Sequence, residues 1–170
     1  MKRHIIPGAV VLMILVSGIQ AWAMSQAPTT VEGTRILVRE GDRGSDYVAR
    51  IGRSETTEIS AVLEGNGYWR LEYSYADDEW LEATELRIMM VSTSPSIPSE
   101  EPARVEGDDG LKAEFDSIEV RRNLFERMLE SPQTTINLVG NNGVVIIEMG
   151  TESRSRLQEL LDFGAENFGD

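Results

Sequence analysis

Apolar and polar residues alternate along much of this chain, and the alternation predicts β-strands. The clearest run is residues 68–75, where Trp69, Leu71, Tyr73 and Tyr75 are separated by polar or charged positions. Further strands are predicted at residues 35–39, 47–51, 57–63, 86–90 and 111–115. Short strands separated by turn residues are typical of a β-sandwich or an open antiparallel barrel.

The C-terminal third departs from this period and begins with a helix. Apolar residues at positions 124, 125, 128 and 129 have helical spacing, and Pro132 predicts the end of the helix at Ser131. Two strands, residues 134–139 and 144–149, then flank Gly140-Asn141-Asn142-Gly143. Because Asn-Gly readily adopts positive φ angles, we expect a tight antiparallel hairpin.

A final helix follows the hairpin. Ser155 and Gln158 have the spacing of a capping box that would begin it, and Gly164 would end it. The predicted fold class is therefore mainly β, a β-sandwich or open antiparallel barrel with two short C-terminal helices; an α+β fold is the alternative.

The chain divides into a leader and one domain. Residues 1–23 resemble a signal peptide, 24–33 a flexible leader, and 34–170 a single β-rich domain. Residues 92–110 contain three prolines and several acids, which predicts a long exposed loop. The pattern of residues 79–85 fits a helix as well as a strand.

The N-terminal residues have the three parts of a secretory signal peptide. Lys2-Arg3-His4 is a basic region, residues 5–16 are an apolar run, and Ala21-Trp22-Ala23 is a small-residue cleavage site. Cleavage is expected after Ala23, and an uncleaved anchor is the alternative. We therefore expect the protein to be periplasmic or secreted.

The chain is strongly acidic, with 29 Asp and Glu residues against 16 Lys and Arg, a net charge of −13. Loss of Lys2 and Arg3 with the leader would make it −15. Nucleic acids and anionic membranes are bound through positive charge. We thus expect a protein partner, with the acidic charge favouring a basic one, no nucleic acid, and no membrane association after cleavage.

The chain has no cysteine, and its one histidine, His4, lies in the leader. Without these side chains a mature chain has no Ser-His-Asp or Cys-His catalysis, no histidine-based zinc or haem site and no thiol redox chemistry. Most enzyme classes are therefore excluded, and no cofactor is expected.

Two acidic segments are candidate calcium loops, because carboxylate oxygens near glycine suit Ca²⁺. One contains Asp108, Asp109, Glu114 and Asp116 around Gly110. The other is residues 40–46. Neither has EF-hand spacing, and the alternative is a solvated acidic loop.

Asp77, Asp78 and Glu79 beside Trp80 suggest a carboxylate-based glycan hydrolase, since such enzymes combine two acids with an aromatic platform. The alternative is a turn at the protein surface. Trp80, Asp77 and Asp78 are accordingly candidates for a binding surface.

The order of elements in residues 124–131, 135–139, 143–149 and 156–161 resembles the C-terminal part of exported bacterial proteins of the invasion-associated locus B type. It also resembles a type VI secretion accessory family. The resemblance covers about a quarter of the chain and implies a non-enzymatic envelope protein of β-sandwich type that acts through protein contacts.

These observations favour an exported binding or accessory module that catalyses nothing. A glycan hydrolase and a calcium-stabilised adhesin-like domain are the alternatives. The sequence leaves the partner and the oligomeric state open.

Overall fold

The protein is mainly β, as predicted, and is built from two antiparallel sheets and two helices. The computed structural model describes residues 29–41 and 43–169. The predicted signal peptide lies outside them. No helix in this part of the chain has the length and apolar character needed to cross a membrane.

The larger sheet has seven strands in the order β1-β2-β3-β4-β5-β9-β8, and the smaller has four in the order β11-β10-β6-β7. The seven strands are β1 Thr29–Thr30, β2 Leu37–Gly41, β3 Gly44–Arg53, β4 Thr57–Glu64, β5 Trp69–Asp77, β8 Ala103–Glu106 and β9 Lys112–Val120. The four are β6 Ala83–Met90, β7 Ser96–Pro98, β10 Thr134–Gly140 and β11 Gly143–Glu148. The helices are α1 Arg122–Glu130 and α2 Thr151–Phe168.

One hydrophobic core lies between the sheets and beneath the helices. The predicted aromatic face of β5 forms part of it: Trp69, Leu71, Tyr73 and Tyr75 are all buried. The Trp69 ring stacks at a tilt on Phe125 of α1, with 5.5 Å between ring centroids. The alternation read from the sequence thus assigns the inner face of this strand correctly.

The last helix is longer than predicted at both ends. It begins at Thr151 after Gly150, and Ser155 accepts a hydrogen bond from Arg35 instead of capping the helix. Gly164 lies inside the helix and is buried against the Trp69 ring, where it allows close packing. The predictions of a capping-box start at Ser155 and a stop at Gly164 were therefore wrong, because Ser155 contacts Arg35, just before β2, and Gly164 packs on Trp69.

Three predicted loops contain strands. The acidic segment 40–46 is the turn of the β2–β3 hairpin, with Asp46 in β3. Residues 92–110 contain β7 and β8, which pair with the edges of the two sheets. The described part of the predicted leader contains β1, which pairs with β2. For β1, β7 and β8 the cause is the same: pairing at a sheet edge satisfies the backbone of a segment whose side chains are polar.

The chain passes from the larger to the smaller sheet through residues 78–82, which are neither helix nor strand. Glu82 has a φ of 54°, and no other non-glycine residue of the described chain has a positive φ. The turn between β10 and β11 packs on this crossover. The backbone N–H groups of Asn141 and Asn142 donate to the carbonyls of Glu82 and Leu81, at 3.1 and 3.2 Å.

These contacts correct the prediction for the hairpin turn. The hairpin forms, with Gly140 opposite Gly143, but no residue of its turn has a positive φ. Hydrogen bonds from the turn to the crossover set its conformation, in place of the preference of Asn-Gly for positive φ angles. Gly140 is needed for a different reason, because a Cβ there would lie 2.1 Å from the carbonyl oxygen of Leu81.

The two glycines of this hairpin provide a matched pair of variants. Gly140→Ala should lower the free energy of unfolding by about 3 kcal/mol, since its Cβ would overlap a backbone oxygen that has no room to move. Gly143→Ala should change it by less than about 0.5 kcal/mol, because the nearest atom to its Cβ is 3.8 Å away. Urea unfolding of both variants measures the difference, and equal stability would contradict this account of the crossover.

Candidate functional site

Glu114 was a candidate calcium ligand on the polar side of its strand, but its side chain is fully buried. Its two carboxylate oxygens accept hydrogen bonds from the backbone N–H groups of Glu82, at 2.7 Å, and Ala83, at 2.9 Å. Arg104 lies 3.5 Å from the same carboxylate. Glu114 therefore anchors the crossover between the sheets.

The other members of that calcium candidate do not gather around Glu114's oxygens. Asp109 accepts a hydrogen bond from the backbone N–H of Leu111, within its own turn. Asp116 accepts one from the hydroxyl of Ser99, at 2.6 Å. Asp108 lies in the β8–β9 turn with Asp109. Within residues 29–41 and 43–169, no group of three or more acidic side chains is arranged to hold a metal ion.

The second calcium candidate is likewise occupied by internal contacts. Asp42 lies outside the described residues, and Asp46 is buried in β3. The Asp46 carboxylate pairs with Arg70 at 2.7 Å and Arg39 at 3.2 Å. Two arginines thus take the place of a cation.

These pairs belong to a charged row on the outer face of the larger sheet, formed by Arg39, Asp46, Arg70 and Glu72. Arg39 also binds Glu72, at 2.6 Å. Burial alone would lower the pKa of Arg39, but the hydrogen bond and charge of Glu72 outweigh it and raise that pKa. Since every arginine of the row contacts a carboxylate, the row is a structural network and no free anion site.

The cavity beside this row has a volume of about 230 Å³. A second cavity of about 350 Å³ lies between the end of β6 and α1. Neither is lined by Asp77, Asp78 or Trp80, the residues proposed for glycan chemistry.

The structure places Asp77 at the end of β5, half-buried, with Asp78 exposed and Trp80 half-buried in the crossover. A hydrogen bond with the Asp77 carboxyl, and then the charge of Asp77, raise the pKa of Asp78. The Asp77 carboxylate also accepts a hydrogen bond from the backbone N–H of Asp78 at 2.8 Å, so both acids belong to one local turn, whereas glycosidase acids flank the scissile bond. The Trp80 carbonyl accepts a hydrogen bond from the Asn142 side chain. This geometry does not favour the hydrolase alternative.

An exposed apolar face on the smaller sheet was missed in the sequence. Its exposed apolar side chains are Met89 of β6 and Val144 and Ile146 of β11, of which Ile146 is 64% exposed. Polar side chains lie between them on the same face, among them the ion pair of Arg87 with Glu85. In register, Val144 lies opposite Val139, and Ile146 opposite Asn137. We call this surface the outer face of the smaller sheet.

A signal for this face was present in the sequence. Residues 144–147 are four consecutive β-branched apolar residues, Val-Val-Ile-Ile, where a half-exposed strand would alternate with polar ones. The inner members, Val145 and Ile147, pack in the core. The outer members, Val144 and Ile146, remain 52% and 64% exposed. Exposed apolar clusters of this kind mark interaction sites in soluble proteins.

The fold and this face define a mainly β, two-sheet protein whose candidate site is a surface. No family model matches the chain, and no curated protein matches it. Among solved structures, it is similar to the crystal structure of invasion associated protein B from Bartonella henselae, with 9% sequence identity and a TM-score of 0.45. The match covers 83% of this chain and 99% of that chain, and is a weak structural resemblance.

The role of Glu114 can be tested by Glu114→Gln. An amide of the same shape leaves one of the two backbone N–H donors facing an NH₂ group, so the free energy of unfolding should fall by about 2–3 kcal/mol. Glu119→Gln, an exposed position on the same strand, should change it by less than about 0.5 kcal/mol. Chemical unfolding compares the two, and similar values would remove Glu114 from its anchoring role.

Two buried tyrosines predict a loss of stability in alkali. Burial raises the pKa of Tyr73 and of Tyr75 to about 12, against about 10 in an unfolded chain. The neutral rings therefore stabilise the fold fully below about pH 10, and this contribution is lost as the pH rises from about 10 to about 12.

Urea midpoints measured from about pH 8 to about pH 11.5 should fall in this window, and Tyr75→Phe should make the fall shallower. Tyr68→Phe, at an exposed position, is the control and should follow the wild type. A midpoint that stays constant to pH 11.5 would contradict the burial argument.

Proposed function

We propose that this chain is an exported, non-enzymatic binding module that acts through contacts with another protein of the bacterial envelope. The observation that carries the proposal is the outer face of the smaller sheet. Val144 and Ile146 are more than half exposed there, on a strand at the sheet edge. Removing apolar surface from water contributes about 25 cal/mol per Å², so covering these side chains favours association.

Charge supports the same proposal and sets the kind of partner. The chain has a net charge of −13, and its basic side chains are largely engaged in ion pairs with its own acids. Its long-range field therefore attracts a basic protein, and the association should weaken as salt screens it.

Export is proposed from the leader alone. The basic, apolar and Ala-x-Ala segments of residues 1–23 have the order of a signal peptide. Cleavage after Ala23 would leave Met24 as the first residue of a periplasmic or secreted protein. Mass spectrometry of the exported chain checks that boundary.

Membership of the invasion-associated locus B type, or of the type VI secretion accessory family, is part of the proposal. It rests on the order of helix, hairpin and helix in residues 122–168, which resembles the order expected for both families. Either membership agrees with an accessory protein that binds and does not catalyse.

The proposal predicts a partner that depends on the outer face. The test is a pull-down from an envelope extract at low salt. It compares wild type with the double variant Val144→Thr/Ile146→Thr and with the control Tyr68→Thr. Tyr68 is 53% exposed and lies outside the smaller sheet, so its variant matches the loss of apolar surface.

Wild type and Tyr68→Thr should retain a common partner that the double variant loses and that high salt releases. Quantitative mass spectrometry of the retained fractions provides the readout. An identical set of retained proteins for all three variants, or none for any, would count against a binding role of this face.

A further inference from the structure

The backbone of β11 is open on one side. In the described chain β11 pairs with β10 alone, so it forms one edge of the smaller sheet. The N–H of Met149 donates to the carbonyl of Thr134 at 3.0 Å. This bond shows which residues of β11 direct their backbone groups toward β10. Because hydrogen-bonded pairs alternate along an antiparallel ladder, Val144, Ile146 and Glu148 direct their N–H and C=O groups outward.

The side chains of these three residues lie on the exposed face as well. Val144 and Ile146 are 52% and 64% exposed, and Glu148 is exposed at the end of the strand. No side chain or backbone group in the described residues forms a hydrogen bond or ion pair with the Glu148 carboxylate. The edge thus offers backbone groups, two apolar side chains and one negative charge in a row.

The other sheet edges are short or interrupted, and β11 is neither. β1 has two residues, β7 has three and ends in Pro98, and β8 has four with the charged Arg104 and Glu106 among them. β11 has six residues, with no proline or lysine. Proteins normally protect an edge with such features to prevent pairing with other chains. Among the terminal strands of the two sheets in the described chain, β11 is the one best suited to accept another strand.

We propose that β11 binds an extended basic segment of another protein, which adds to the smaller sheet as a fifth, antiparallel strand. This inference rests on the proposed function and names its surface and partner chemistry. Apolar residues two apart in the partner would cover Ile146 and Val144, and a Lys or Arg beside them would pair with Glu148. Main-chain hydrogen bonds would supply affinity, and the alternate side chains specificity.

Charge and size favour a partner segment over a second copy of this chain. Two copies would each bring a net charge of −13 and one Glu148 carboxylate to the contact. An edge of six residues is only about 20 Å long, and pairing along it alone falls short of the roughly 1,200 Å² of a stable interface between folded proteins.

The probe is the capped peptide Lys-Thr-Val-Thr-Val-Thr-Lys, whose palindromic sequence puts its valines opposite Val144 and Ile146. Fluorescence anisotropy of the labelled peptide follows its binding to the protein. The protein is the full chain, purified from a bacterial host in the processed form that the host produces. Binding should be saturable at low salt and weaker at high salt. Absence of saturable binding, or a salt-independent dimer of the protein in ultracentrifugation, would overturn the proposal.

Ile146→Pro tests the backbone contact. The substitution removes an outward N–H that forms no ladder hydrogen bond with β10. Because proline is tolerated on edge strands, the free energy of unfolding should change little. Peptide affinity should fall by about tenfold or more. Unchanged affinity would overturn strand addition.

Two further comparisons leave the backbone of β11 unchanged. Ile146→Lys should weaken binding of the basic peptide about tenfold, while Tyr68→Lys, an equal charge change at an exposed position outside the smaller sheet, should not. A peptide N-methylated at both valines should lose binding, whereas methylation at the first and third threonines, whose N–H groups point away from β11, should retain it. Equal effects within either pair would reject the edge as the site.

The same variants separate this inference from the proposed function. If Val144→Thr/Ile146→Thr loses the envelope partner while Ile146→Pro retains it, the face binds but not by strand addition. If neither variant loses a partner, the proposed function itself fails.

Discussion

A buried carboxylate at the junction of the two sheets is the contact on which the rest of the structure depends. Glu114 accepts hydrogen bonds from the backbone N–H groups of Glu82 and Ala83. These bonds hold the crossover at Glu82, whose backbone is left-handed. A buried carboxylate is costly unless hydrogen bonds and opposite charge satisfy it. The position of the crossover relative to Glu114 is therefore tightly constrained. Gly140 lets the β10–β11 turn approach the same crossover. One acid and one glycine thus set where the smaller sheet begins.

That placement decides which surface is open. The core side of the smaller sheet packs against the larger one, where Ile147 lies close to Gly52 of β3. Both helices contribute to the same core, so the opposite face of the smaller sheet is left bare. The outer face of the larger sheet is instead covered by its charged row, over the buried Val48 and Val62. The two outer faces therefore differ in chemistry, and the exposed Val144 and Ile146 on the smaller sheet support the proposed role in binding.

Period-two alternation predicted the inner faces of β4, β5 and β6 correctly, because a strand buried on one side must show its pattern locally. It failed for β7 and β8, whose strand character comes from pairing with β6 and β9 and not from their own side chains. The candidate sites failed for a related reason. Acids close in sequence, such as Asp109 and Glu114, contact different partners, because the first lies in a turn and the second inside β9.

The sequence by itself determined the fold class, the aromatic core strand, the hairpin near the C-terminus, the acidic charge and the lack of cysteine and of histidine outside the leader. These are properties of composition or of neighbours along the chain. Only the tertiary structure decided that Glu114 is an anchor, that Asp46 pairs with arginines, and that Val144 and Ile146 face solvent. Each of these depends on which distant strand lies alongside, and a local pattern contains no information about that choice.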